Sequence, residues 1–401
     1  MIYLDNNATT RPSSAARDAM LSAIDELWHN PSSMHRPGQA VRRRVELARA
    51  SVARLINASP KEIVFCSCGT CSIHTAIGGV FAARDDVAAP NLITTPIEHS
   101  AIKAISNKLE KQRGVETKLV PLTPGGVIDL DALEKLIDDN TVLVSIQWAN
   151  NETGVIQPIE QIGRLCKERG VLLHVDGVQW VGKMPTNVGT GSEEPTGPAH
   201  DDAAGAWIDM LSFSAHKFHG PKGVGGLWIR RGTRIAPVSP GSQEQGRRGG
   251  TENVPGILGM AAAAEECLEF LDDPAQRPEA ARRRDRFERA ILDRVPGSHI
   301  NGPSDPALRV WNTTNIAFPR LEAEIVLLML SERGVCASAG SACSSGSLEP
   351  SPVLLAMGVD PASAHGSVRF SICRETTAEE LDQAIEAVVG CVQQLSGTIS
   401  G

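Results

Sequence analysis

Little in this 401-residue chain points to a charged polymer or a lipid partner. Formal net charge is -8, and no basic tract stands out beyond Arg42-Arg43-Arg44, Arg230-Arg231 with Arg234, and Arg247-Arg248. No nucleic-acid partner is therefore expected. No apolar run reaches the roughly 20 residues that cross a bilayer, so no membrane span is expected. No internal repeat or heptad pattern is present. Glycine (37) and proline (25) are spread along the chain, which suits a turn-rich enzyme rather than a fibre or coiled coil. Nine cysteines, an odd number, follow no secretory leader, and Met1-Ile2-Tyr3-Leu4-Asp5 already reads as folded protein. The expectation is a soluble, cytoplasmic chain with reduced thiols.

What the chain does have is an alternation of helical and strand patterns from Pro12 to about Met260. Ala40, Val41, Val45, Ala48, Val52 and Leu55 recur at helical spacing over residues 36–56. Short strands read at 62–66, 92–95, 115–120, 141–146 and 171–175. Asp131-x-x-Glu134 reads as a capping box opening a helix that ends near Asp139. Ile159, Ile162, Leu165 and Cys166 mark a helix that Gly170 stops. This rhythm predicts an α/β fold with a mostly parallel sheet covered by helices. Residues 189–205 break it, show no apolar period and read as a solvated surface insertion. Helical stretches at 257–292 and 379–395 lead into and close a smaller α/β C-terminal domain.

Candidate chemistry gathers past the C-terminal ends of five strands, where open parallel sheets bind ligands. Lys217 stands in Ser214-Ala215-His216-Lys217-Phe218-His219-Gly220, directly after an apolar stretch. An amine there can form a Schiff base with an aldehyde cofactor. Val175-Asp176-Gly177-Val178-Gln179 places a carboxylate that can pair with the protonated ring nitrogen of pyridoxal phosphate, keeping the ring an electron sink. Gln179 can reach the ring hydroxyl. In Cys68-Gly69-Thr70-Cys71-Ser72, Gly69 permits a tight turn. The following helix amides and the Thr70 hydroxyl can hold a phosphate. Ser214, His216 and Thr251 can add donors to it. Asn151, in Trp148-Ala149-Asn150-Asn151-Glu152-Thr153-Gly154, can donate to the ring hydroxyl or hold substrate. His99 can stack on the ring and act as an acid or base. A lysine in a loop or a lone histidine is ordinary by itself; the reading rests on their company.

Together these segments resemble the cysteine desulfurases of the class V aminotransferase group, closely the nitrogen-fixation (NifS) type. Further matching motifs are Tyr3-Leu4-Asp5-Asn6-Asn7-Ala8-Thr9-Thr10, Asn30-Pro31-Ser32-Ser33-Met34-His35 and Gly246-Arg247-Arg248-Gly249-Gly250-Thr251-Glu252-Asn253. Gly340-Ser341-Ala342-Cys343-Ser344-Ser345-Gly346-Ser347-Leu348-Glu349-Pro350 and Ala364-His365-Gly366-Ser367-Val368-Arg369-Phe370-Ser371 complete the set. The resemblance implies a fold-type I, pyridoxal-phosphate-dependent homodimer. Its large domain, 12–260, would hold a mostly parallel seven-stranded sheet with helices on both faces. The small domain, 1–11 plus 261–401, would carry the catalytic cysteine loop. Lys217 would bind the cofactor covalently, with Asp176 at the ring nitrogen, Gln179 and Asn151 at the ring hydroxyl, and His99 on the ring face. Gly69, Thr70, Ser214 and His216 would hold the phosphate, and Thr251 would reach it from the other subunit. Arg369 would clamp the carboxylate of L-cysteine. Cys343, among small serine, glycine and alanine neighbours, would be the nucleophile, with Cys336 a weaker candidate.

The implied reaction converts L-cysteine to L-alanine. The sulfur leaves as a Cys343 persulfide for a NifU-like iron–sulfur scaffold, in nitrogenase metallocluster assembly. Cys343 would also ligate an iron–sulfur cluster transiently. A selenocysteine lyase, another class V lyase, or a weakly active persulfide carrier are the alternatives, and the full Cys343 motif favours the desulfurase. One departure concerns the phosphate loop. Where the family generally carries glutamate after the threonine, Cys71 stands here, and His74 replaces a small polar residue. Cys66, Cys68, Cys71 and His74 put four potential soft-metal ligands within nine residues. The one-residue opening spacing and the strand alternation disfavour a metal centre; redox-sensitive thiols are the stronger expectation.

Overall fold

The computed structural model describes residues 1–84, 86–189, 203–340 and 349–399. Residues 190–202, on which most of the surface-insertion reading falls, and the Cys343 loop at 341–348 lie outside them.

The chain opens with β1 (Ile2–Tyr3), then α1 (Ser14–Glu26) and α2 (Arg36–Leu55). There follow β2 (Ile63–Cys66), α3 (Gly69–Ala82), β3 (Asn91–Thr94), α4 (Ser100–Arg113), β4 (Glu116–Leu119) and α5 (Leu130–Leu136). Next come β5 (Thr141–Gln147), α6 (Ile159–Glu168), β6 (Leu172–Asp176), β7 (Met210–Ser214) and β8 (Gly225–Ile229). These strands build a seven-stranded sheet in the order β2-β8-β7-β6-β5-β3-β4. Only β8 runs against its neighbours β2 and β7; the pairings among the other strands of the sheet are parallel. Every residue of β5, β7 and β8 is buried, as expected where helices cover both faces. The apolar core on one side of the sheet includes Ile146, Val175, Leu211 and Phe213; that on the other includes Val64, Leu92, Leu143 and Leu227.

Beyond the sheet, α7 (Val254–Asp272) packs on α1 and α2, and α8 (Gln276–Arg294) follows. Then come β9 (His299–Ile300), β10 (Thr313–Ala317), α9 (Ala323–Glu332), β11 (Val335–Cys336), α10 (Pro352–Ala356), α11 (Pro361–His365), β12 (Ser367–Ser371) and α12 (Ala378–Ile399). Strands β12, β10 and β9 form an antiparallel sheet. The N-terminus returns to this part of the chain, for β1 pairs with β11 and Asp5 bridges to Ser371.

One capping expectation is corrected. Helix α5 is capped by Asp129, whose Oδ1 accepts from Ala132 N at 3.0 Å, so Asp131 lies inside the first turn and the helix stops at Leu136. A carboxylate caps the turn whose amides it can reach, and Asp129 is placed first to do so. Gly170 takes a left-handed φ of 68° just past α6, the stop that its position predicts.

Candidate active site

The parallel strands end on one side of the sheet, and the candidate residues follow those ends. Asp176 is the last residue of β6, and Ser214 the last of β7. Lys217 closes the short 3-10 turn Ala215–Lys217 that continues β7. His99 caps α4 after β3, Asn151 follows β5, and Gly69 opens α3 after β2.

Lys217 Nζ donates to two main-chain oxygens of the N-terminal segment, Asn7 at 2.5 Å and Ala8 at 2.9 Å. Asp176 is buried and accepts a hydrogen bond from Val178 N at 3.0 Å. Burial pushes its carboxyl above the ordinary range, while the neighbouring His99 and Lys217 charges pull it down. Among the described residues it forms no salt bridge, which leaves a buried carboxylate suited to a cationic ring nitrogen. Burial lowers the His99 pKa, and Lys217 lowers it further against the pull of Asp176. Its Nδ1 faces the Ala101 amide at 3.2 Å, so the neutral ring carries its proton on Nε2.

The phosphate residues converge in part. A Cβ at Gly69 would lie 2.8 Å from Val178 Cγ2 and 3.5 Å from Ser214 Cβ, so the start of α3 closes directly on Ser214. Ser214 Oγ is buried and has no hydrogen-bond partner among the described residues. A hydroxyl left so beside a helix N-terminus fits an anion. Thr70 is exposed in the first turn of that helix. His216 Nδ1 lies 3.2 Å from Thr9 Oγ1, and burial, with the Lys217, Lys222 and Lys183 charges, lowers its pKa to about 4. Thr251 is exposed and lines a hollow with Cys66, Ser67 and Arg248.

Arg369, on β12, is buried. It donates to Asn151 O at 3.0 Å and to Asp5 Oδ1 at 2.6 Å, and its buried Nε has no partner among the described residues. Gln179 Nε2 donates to Asn7 O at 3.0 Å, and Gln179 Oε1 accepts from Lys183 Nζ at 2.6 Å. Cys343 lies outside the described residues, but the chain on either side of its loop meets one carboxylate. Ser351 Oγ donates to Glu152 Oε2 at 2.5 Å, and a Cβ at Gly340 would come within 2.7 Å of the same oxygen. Cys336 is held in β11 opposite Tyr3.

Among the described residues no group of three or more histidine, cysteine, aspartate or glutamate side chains is placed to hold an ion. His74 instead lies with Nε2 3.1 Å from Ala101 O.

Sequence reading missed Asn7, Lys183, Glu98 and Glu152 as parts of this region. Asn7 Oδ1 accepts from Lys183 Nζ at 3.0 Å and from Asn312 Nδ2 at 2.9 Å, while Asn7 Nδ2 donates to Thr313 Oγ1 at 2.8 Å. Glu98, next to His99, is buried and pushed up to about 8, chiefly by burial. Asn7 and Glu152 lie within quoted motifs, which is the signal that could have flagged them.

Comparison with known proteins agrees with this geometry. The model of the family described as Aminotransferase class-V matches residues 2–384. A cysteine desulfurase of Trichormus azollae is 45% identical over 396 residues, 98% of this chain and 94% of that protein. The cysteine desulfurase NifS of Azotobacter vinelandii is 43% identical over 98% of this chain and 93% of its own length. A solved structure described as a NifS-like protein superposes with a TM-score of 0.86 at 37% identity, covering 98% of this chain and 99% of that one. On nearly full-length similarity of sequence and of fold, this chain belongs to the class V aminotransferase family, among its cysteine desulfurases of the NifS type.

Proposed function

We propose that this protein is a pyridoxal-phosphate-dependent cysteine desulfurase that releases L-alanine from L-cysteine and passes the sulfur on as a Cys343 persulfide. The observation that carries the reading is the convergence at the strand ends of Lys217, the buried Asp176 carboxylate, and a Ser214 hydroxyl that has no hydrogen-bond partner among the described residues. The Asp176 carboxylate would meet the ring nitrogen. Ser214, Thr70, His216 and the α3 amides would hold the phosphate, and His99 would lie against the ring. When bound, the cofactor supplies an electron sink for the pair left by the substrate α-proton.

The chain's own groups do the rest. Arg369 would receive the substrate carboxylate through its Nε, which has no partner among the described residues, and through the donors it now shares with Asn151 and Asp5. Lys217 Nζ would take the α-proton, for which its place at the end of β7 is suited. Cys343 would attack the substrate sulfur, forming the S–S bond as the Cβ–S bond breaks. A homodimer in which Thr251 serves the partner's phosphate, a cytoplasmic setting, and delivery to an iron–sulfur scaffold for nitrogenase clusters follow from the family likeness.

The test incubates the purified chain with L-cysteine and a thiol reductant and measures alanine and sulfide. Equimolar products are expected, lost in Lys217→Ala and in Cys343→Ala. No alanine from the cofactor-loaded native chain would overturn the reading and favour another lyase or a persulfide carrier.

A further inference from the structure

Three thiols crowd the turn between β2 and α3, and the proposed reaction uses none of them. Cys66 ends β2, paired with Gly225, and is buried. Cys68 is the N-cap of α3, and its Sγ accepts from Cys71 N at 3.4 Å. Cys71 sits in the first helical turn and is half-buried. Cys66 first, then Ser67 and the Arg248 guanidinium, draw the Cys71 thiol down to about 4 against the effect of its partial burial. The helix dipole acts in the same direction as those groups. Cys71 and burial push Cys66 well above the ordinary thiol range, and its own thiol donates to Val64 O at 3.8 Å. The result is a partly exposed thiolate that shares one turn with a second thiol. Arg248 and Cys66 also line the hollow next to this turn.

We propose that Cys71 is a thiol-modification site: it takes one half of an anionic low-molecular-weight disulfide, and Cys66 then resolves the adduct into a Cys66–Cys71 disulfide. In the first step the Cys71 thiolate attacks one sulfur of the small disulfide. A mixed disulfide forms, and the other half leaves as a thiolate. In the second step Cys66 gives up its proton to solvent and attacks the Cys71 sulfur, expelling the second small thiolate. The two cysteine sulfurs are oxidised by two electrons in all, and the small disulfide is reduced to two thiols. The second step is the slower one, because Cys66 is buried and holds its proton tightly. Arg248 selects an anionic reactant such as oxidised glutathione. The consequence, though not the chemistry, rests on the function proposed above: the disulfide ties β2 to the first turn of α3, where the phosphate would sit. Oxidation should therefore weaken cofactor retention.

The test uses the full chain in its Cys343→Ala form, so that the proposed nucleophile does not react, with pyridoxal phosphate present. Oxidised glutathione is added, remaining thiols are alkylated, and the peptide holding all three cysteines is mapped by mass spectrometry. The expected product is a Cys66–Cys71 disulfide with Cys68 alkylated. Cys66→Ser should stop at glutathione on Cys71, and Cys71→Ser should leave the segment unoxidised. On the reduced chain, alkylation of Cys71 should change less than about twofold between pH 6 and 8, whereas an ordinary thiol would speed up roughly tenfold per unit. Circular dichroism checks that each variant folds. A Cys68–Cys71 disulfide, an unmodified Cys71, or a Cys71 rate that climbs like an ordinary thiol's would overturn the proposal. Alanine release from the reduced enzyme is read separately, so failure of the desulfurase reading shows independently.

Discussion

Asn7 receives the Lys217 amine on its main-chain oxygen at 2.5 Å. Its remaining polar groups are engaged as well. The amide nitrogen donates to Ser371 Oγ, Nδ2 donates to Asn151 O and Thr313 Oγ1, and Oδ1 accepts from Lys183 and Asn312. The residue thus ties the N-terminal segment to the loop after β5, to β10 and to β12, while presenting a carbonyl to the lysine. Asn7→Ala would leave the buried Lys183 amine with Gln179 as its remaining acceptor among those described here. Unpairing buried polar groups in this way costs about 2–4 kcal/mol. Thermal or denaturant unfolding should show a loss of that order. The Lys217 contact itself, being to main chain, should survive the substitution.

Arg369 is buried, with one donor unpartnered among the described residues and another on Asp5. Substrate carboxylate would find a guanidinium already aimed and desolvated. Arg369→Lys keeps the charge but loses the planar fork. We expect KM for L-cysteine to rise at least about tenfold in Arg369→Lys, and further in Arg369→Ala, because breaking a buried charged pair costs about 2–5 kcal/mol. Alanine release over a range of cysteine concentrations measures it. An unchanged KM in both variants would remove Arg369 from the substrate site.

Asp176 accepts from Val178 N and is raised by burial, so its negative charge is poorly supported by the protein itself. Asp176→Asn should therefore leave the unfolding transition nearly where it is. It should lower kcat by roughly 100-fold or more, the scale of losing one aimed charge in a water-poor site. A spectrum showing bound cofactor in the variant would separate lost chemistry from lost binding.

Strand ends and the residues that follow them were legible in the sequence because both are local. Lys217 and Asp176 follow or end apolar runs on the neighbouring strands β7 and β6, where Asp176 is in register with Ser212 and feels the Lys217 charge. The network around Asn7 was not legible. Its contacts reach Asn151, Lys183, Asn312 and Thr313, all far along the chain. Nothing local in the sequence marks Lys183, and only the fold buries it. Helix α5 shows the limit at short range: two aspartates compete for one cap, and the spacing to Glu134 favoured the wrong one. Gln179 was read by its reach to the ring hydroxyl, but its carbonyl oxygen is committed to Lys183. Its Nε2 donates to Asn7 O, so serving a ligand would draw on the second hydrogen of that nitrogen.

His174 gives the fold an acid-sensitive element beneath the site. In the middle of β6, its Nδ1 lies 2.8 Å from Ser145 Oγ on β5 and its Nε2 2.9 Å from Ser212 Oγ on β7. Burial alone draws its pKa down from 6.5 to about 3. In the fold the ring stays neutral, while in the unfolded chain it takes up a proton below about 6.5. The unfolded state therefore binds more protons as pH falls from 6.5 toward 3, and stability is lost across that window. The loss reaches about 1.4 kcal/mol per pH unit from this one group. Glu98 works in the other direction. Its folded pKa of about 8 exceeds the ordinary 4.5, so the fold holds the proton and stability declines as pH rises through that interval. The two slopes oppose each other between 4.5 and 6.5, and a substitution is needed to separate them. His174→Gln keeps a polar group between the two serines and removes the titration. Urea unfolding at pH 7 and at pH 5 should show a smaller acid loss in His174→Gln than in the native chain, by about 2 kcal/mol. Equal losses in both would mean that His174 takes up its proton without opening the contact between β5, β6 and β7.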